Sequence, residues 1–376
     1  MSRGLFRFLY CSAVVLVFAG ITLQPSPAIA SVPHFHRGHA RLVDVEALMR
    51  SHHLLQVTDM TVDGSRVAVI RPIGDTRSAV AGILRAPGGH PQNLGRIPAF
   101  QRWGPQLSPR GFHVLYWGNY KLHSIDVMDG DRRIVARRVS RLGMWDWLPD
   151  GRIAYVTTHR RVALVRPGHR PVKTALRIAG VEGRKYLSSA LLSAVAVAPD
   201  ASRALYTDPN CTVWSVSLKT GHRYRVAARF TVPFRAWAPD ATTFVLSRPP
   251  SYDRGQDCVR EGSFRALFLF RNGALVGRVT RRDDLLNTGI SSTWSPDSRW
   301  LLVAVQPTGT QVTGYRYLEA ASVRDQTTTV VVPDRLASDA FMGPDQGVVF
   351  SRYRFAEGAS LGHEDSRIVR GRLVDG

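Results

Sequence analysis

Six aspartates occupy the same place in a recurring short string: Asp63, Asp150, Asp200, Asp240, Asp297 and Asp345. Paired carboxylates are common instruments of general acid and base catalysis, so their repetition raises the question of an enzyme. The surrounding residues point elsewhere. MTVDGSRVAVI from Met60, WLPDGRIAYV from Trp147, VAPDASRALYT from Val197, WAPDATTFVLS from Trp237, WSPDSRWLLVAV from Trp294 and MGPDQGVVFS from Met342 each join an apolar residue, a turn and a run of β-formers. In five of the six a proline presets φ, and in all six aspartate can accept hydrogen bonds from nearby backbone amides, so these carboxylates read as turn residues.

Two further aspartates lie in the strand segments before such turns. Asp59 precedes Met60, and Asp146 stands between Trp145 and Trp147. Both can face a central channel and together bind a cation, although polar channel linings are also common without a function. Histidines gather in HFHRGH, His34 to His39, with His52 and His53 beyond, but Pro33 denies a terminal copper site its ionisable amide. That cluster reads as a solvated lead-in. No motif asks for a metal or a cofactor, and no catalytic residue is assigned.

The elements that carry these residues repeat. With LSPRGFHVLYW from Leu107 there are seven units, spaced 40 to 57 residues apart and strand-like throughout. A period of that size predicts a β-propeller. The expected fold is all-β, with seven blades of four strands. Residues 1–30 precede it as a leader and residues 31–39 as a His-containing lead-in. The propeller itself occupies 40–376, with blades starting near 54, 103, 144, 193, 234, 291 and 338. The seventh unit ends where its fourth strand is due, which would leave an open edge. ARLVDVEALM, Ala40 to Met49, has no place in blade 1 and is predicted to close the ring as the outer strand of blade 7.

The W-S-P-D-[GS] unit resembles the repeat of TolB-like β-propellers, related in architecture to WD-repeat proteins and to the propeller domains of prolyl-oligopeptidase-type enzymes. The resemblance covers residues 54–376. Blade 2 departs from it with Arg110 for aspartate, and blade 1 lacks the proline. It implies the fold and an envelope setting; the matched residues are turn and core residues, so it implies little about chemistry. No G-x-S-x-G elbow accompanies the ring, which argues against a serine peptidase.

At the N-terminus Arg3 and Arg7 precede an apolar run from Phe8 to about Leu23, then Pro25, Pro27 and Ala28-Ile29-Ala30. This reads as a secretory signal peptide, with an uncleaved anchor as the other reading. The expected location is secreted or envelope-associated, with no stable membrane span after cleavage. The 376 residues carry 50 Lys and Arg against 29 Asp and Glu, a net charge of +21. That balance attracts anionic wall polymer, headgroups or an acidic protein face. Export and the lack of long basic blocks argue against nucleic acid.

In a propeller the proline-aspartate turns share one face. The other face holds the long insertions at 249–264, 306–314 and 352–365. Tyr252, Arg254 and Arg260, Tyr315 and Arg316, and Tyr353 and Arg354 fall there, residue types enriched at binding hot spots. Cys211 and Cys258 fall on that face in adjacent blades and can form a disulfide. The expectation is therefore a monomeric, non-enzymatic propeller that binds an envelope protein or anionic wall polymer through its insertion-bearing face. The alternative is a propeller hydrolase or lyase of an envelope glycan or lactone. Convergence of carboxylates at the channel would favour the alternative.

Overall fold

A computed structural model describes residues 32–51, 55–73, 78–85, 90–98, 104–140, 145–178, 195–208, 210–248, 263–264, 266–280, 286–287, 292–305, 317–333, 336–355 and 364–375. Among them there is strand and turn but no helix, and hence none able to cross a membrane. The strands form seven blades around a channel. Blade 1 runs from Gln56–Met60 to Gln92–Pro98, blade 2 from Gln106–Leu107 to Arg132–Arg137, and blade 3 from Trp145–Trp147 to Val172–Arg177. Blade 4 runs from Val195–Val197 to Arg223–Ala228. Blade 5 has a ladder of Thr243–Arg248, Ala266–Arg271 and Ala274–Arg278, and its inner strand is reduced to bridges at Thr231 and Trp237. Blade 6 runs from Ser292–Trp294 to Thr327–Val332, and blade 7 from Leu336–Met342 to Glu364–Val374.

Ring closure is supplied from the N-terminus. Arg41–Ser51 pairs antiparallel with Glu364–Val374, Arg41 opposite Val374 and Ser51 opposite Ser366, as the outer strand of blade 7. The segment before it is also backbone-paired rather than free. The Phe35 amide donates to the Arg278 carbonyl in blade 5 and the Arg278 amide donates to the Pro33 carbonyl. His36–Arg37 then lies parallel on Thr327–Val332 as a fifth strand of blade 6. The lead-in thus ties blades 5, 6 and 7 in succession, with the Phe35 side chain buried between blades 5 and 6. His34 and His36 remain exposed.

Within the blades each repeat position has a visible task. After every turn aspartate, or its equivalent, stands a residue in the left-handed region: Gly64, Gly111, Gly151, Ala201, Ala241, Ser298 and Gln346. Such a residue following a type I turn returns the chain into the next strand. The aspartates accept as expected; Asp297 Oδ1 takes the Arg299 amide and Asp240 Oδ1 the amides of Thr242 and Thr243. The apolar residue before the turn wedges between blades. Trp237 and Trp294 donate their indole N–H to the Ala196 and Ala236 carbonyls of the preceding blade, at 3.0 and 3.3 Å. The core is accordingly radial, with separate apolar layers at the blade-to-blade seams, as between blades 1 and 2 and between blades 2 and 3.

Candidate active site in the channel

The residues before the wedges are, in chain order, Asp59, Gln106, Asp146, Ala196, Ala236, Thr293 and Phe341, and all but Gln106 line the central cavity. Ring closure therefore brings together Asp59 of blade 1 and Asp146 of blade 3, which are far apart in sequence. They line one cavity of about 230 Å³. Its mouth is built from Pro109, Pro149, Pro199, Pro239 and Pro296, the turn prolines, so it opens on the turn face. This corrects the expectation that the turn motif faces away from any site.

A third charged residue enters from blade 5. Between the bridges Thr231–Ser247 and Trp237–Phe244 the inner strand advances six residues while its partner advances three. The extra length forms a bulge around Pro233, which has no amide to give to a ladder. Within it Arg235 adopts a left-handed φ of 54° and extends across the channel. Its Nη2 donates to Asp59 Oδ1 at 2.9 Å, and its guanidinium lies 5.3 and 5.4 Å from the ring centroids of Phe234 and Phe341. The Arg235 side chain keeps 18% of its surface, so it can still be reached from the cavity.

The two carboxylates differ in environment. Asp59 Oδ1 also accepts the Met60 amide, and Oδ2 accepts the Leu107 amide at 2.9 Å. Burial pushes its pKa upward while Arg235 and the two amides pull against that shift. Every partner of Asp59 is a donor, so the geometry satisfies the anion and offers no acceptor to a proton. Asp146 has only the Trp147 amide. Burial, opposed by the Arg235 cation and helped by the negative charge of Asp59, raises its pKa to about 6. Asp146 is half-buried and lines the cavity. Burial raises both carboxyls, and their contacts differ: Asp59 holds the Arg235 cation, and Asp146 can hold or release a proton near neutral pH.

The wall holds unmet polar atoms as well. Gln106 is fully buried, donates through Nε2 to the Trp145 carbonyl at 3.2 Å, and leaves Oε1 without a partner. The Trp147 indole N–H is likewise unpaired, unlike those of Trp237 and Trp294. The positive charge beside the carboxylates is Arg235, standing where a bound cation was envisaged. Among the described residues no three His, Cys, Asp or Glu side chains group to hold a metal ion.

The insertion-face residues fare differently. Tyr252, Arg254, Cys258, Arg260, Tyr315 and Arg316 lie outside the described residues. Tyr353 and Arg354 lie within the second strand of blade 7, Gly347–Phe355, paired with Ser366 and Asp365, rather than in an insertion. Cys211 is a buried, free thiol. Sequence reasoning missed Arg235 and Gln106; Pro233 within an inner strand was the available sign of the bulge.

No protein-family model matches the chain, and no curated protein matches it. Solved structures do. An oligogalacturonate lyase in complex with manganese superposes with a TM-score of 0.57 at 12% identity, covering 90% of this chain and 98% of that one. An oligogalacturonate lyase from Vibrio parahaemolyticus gives a TM-score of 0.55 at 12% identity, over 89% and 98%. At that identity the likeness is one of fold. These two propellers are nonetheless enzymes, and the channel carboxylates Asp59 and Asp146 share one cavity. The expectation of a non-enzymatic envelope binder is corrected on both grounds. It gave weight to the composition of surface loops; the sequence did place Asp59 and Asp146 at the channel, but not Arg235 beside them.

Proposed function

We propose that the protein is an exported enzyme that cleaves an acidic glycan, a lyase on a TolB-like repeat, working in the turn-face mouth of the channel. The observation that carries this reading is a carboxyl with a pKa of about 6, Asp146, lodged in one cavity with an arginine held in place by Asp59. Elimination beside a uronate carboxylate needs those two functions. The cation of Arg235 draws and orients the substrate carboxylate and offsets the charge that develops there. Asp146, ionised, takes the proton from the carbon next to that carboxylate; the C–H electron pair becomes a carbon–carbon double bond as the bond to the glycosidic oxygen breaks, and that oxygen leaves with the bonding pair and takes a proton from water. The cavity is smaller than the about 300–1,000 Å³ of a typical ligand pocket, which suits one residue at the end of a glycan. The likeness to oligogalacturonate lyases supports the substrate class, the net charge of +21 suits an acidic polymer, and the leader sequence supports export.

The test is an ultraviolet assay for the conjugated uronate formed on incubation with a panel of uronate oligosaccharides. Turnover should rise with pH through about 6 as Asp146 ionises, and Asp146→Asn should lower it by about 10²-fold or more. Failure of the wild type to release unsaturated product from any uronate would overturn the lyase reading.

A further inference from the structure

The face opposite the channel mouth carries an arrangement the elimination does not use. At the far ends of blades 2 and 3, away from the proline turns, six cations collect: Lys121, Arg137, Arg138, Arg160, Arg161 and Arg177. They are placed there by strand pairing. Lys121 opens the third strand of blade 2 directly opposite Arg137, and Arg161 opens the third strand of blade 3 directly opposite Arg177. The Thr158 amide of blade 3 donates to the Arg138 carbonyl at the end of blade 2, which joins the two blade ends into one surface, and the Ile178 amide donates to the Arg160 carbonyl within blade 3. Among the described residues no carboxylate pairs with any of the six.

This is a poor design for stability alone. Like charges directly opposite one another in a sheet repel. Arg138 and Arg160 also adopt left-handed backbone, φ 56° and 59°, which glycine or asparagine takes with less strain. Beside them Tyr120, also left-handed, leaves 57% of its surface in solvent and stands edge-on to Trp117. Repelling cations around an exposed ring make a surface that is satisfied from outside, by a ligand with repeated negative charges and a flat apolar face.

We propose that this surface binds an acidic polysaccharide, the cations taking its carboxylates and Tyr120 the C–H face of a sugar ring. The choice of a glycan over other polyanions rests on the proposed function, but the binding is separate from the channel chemistry. It would hold the enzyme on its polymer while chain ends reach the mouth on the other face.

The experiment measures binding of the full chain to alginate, a polyuronate, beside neutral dextran, a single-stranded oligonucleotide and anionic vesicles, at two salt concentrations. Alginate should bind, more weakly as salt rises, and dextran should not. The double variant Arg138→Glu/Arg161→Glu should lose about 10-fold or more in affinity for alginate while melting no lower than wild type, because Arg161→Glu places a carboxylate opposite Arg177. Tyr120→Ala should weaken alginate binding with folding intact. Turnover of short uronates should be unchanged in all of these and lost in Asp146→Asn, which should still bind alginate; the two readings therefore fail separately. Unaltered alginate affinity in the double variant, or oligonucleotide or vesicle binding as tight as that of alginate, would overturn the proposal.

Discussion

Three side chains set the chemistry of the channel, and each depends on a different residue-scale device. Asp59 is surrounded by donors, Arg235 reaches it only because its backbone turns left-handed, and Asp146 is left with one amide. Keeping Asp146 titratable carries a cost in stability whose sign can be worked out. Its folded pKa, about 6, lies above the ordinary 3.8, so the folded protein holds the proton more tightly than the unfolded chain. The stabilisation is complete below pH about 4 and is lost as pH rises through about 6. At neutral pH the charged, buried group then disfavours folding by up to about 3 kcal/mol relative to acid. Asp146→Asn should therefore abolish activity while raising the melting temperature at pH about 7.5, with little gain at pH about 4. Identical melting curves for variant and wild type at both pH values would mean that the carboxyl is not perturbed as described.

At the scale of elements, the parts legible in the sequence were those specified locally. The proline-aspartate turn, its left-handed fourth residue and the apolar wedge all fall within about ten residues, so seven copies disclosed the blades. The vacancy in blade 7 disclosed its own filling, because a missing strand in a periodic chain is itself a signal. What escaped was set by contacts at a distance. Tyr353 looked like loop decoration but belongs to a nine-residue strand that pairs out to Phe355. Arg235 falls outside the repeat register, in the bulge between the Thr231 and Trp237 bridges, and reaches Asp59 from there. The lead-in read as solvated because its histidines are polar, whereas its contribution is made by backbone and by Phe35. The Phe35 side chain, 6% exposed, lies in the seam of blades 5 and 6. Phe35→Ala should cost about 3 kcal/mol, seen as a lower urea midpoint, and removal of residues 31–50 should unfold the ring in one transition. A truncated chain that melted with the full one would show that closure at blade 7 is dispensable.

For the molecule as a whole, charge and architecture pull against each other. A propeller has no single centre; its apolar layers stand at the seams, and adjacent blades must pack closely for any of them to be dry. The same closeness gathers most of the chain's net charge of +21 onto one ring. Among the described residues the ion pairs include Arg235 with Asp59, Arg152 with Asp150 and Arg372 with Asp44, while the six cations at the blade 2 and 3 ends pair with no described carboxylate. Folding brings these charges nearer than they are in the unfolded chain, so the net field opposes it. Screening acts in the stabilising direction here. Raising ionic strength from about 0.01 to about 0.15 M shortens the Debye length from about 30 to about 8 Å, which damps repulsion between distant cations more than attraction within an ion pair. The melting temperature should rise over that range, and rise further when alginate is added at constant ionic strength, because a ligand bound only to the folded form stabilises it by mass action. A melting temperature that fell with salt would indicate that attractive pairs dominate the surface, and the self-repulsion on which the polyanion reading depends would not exist.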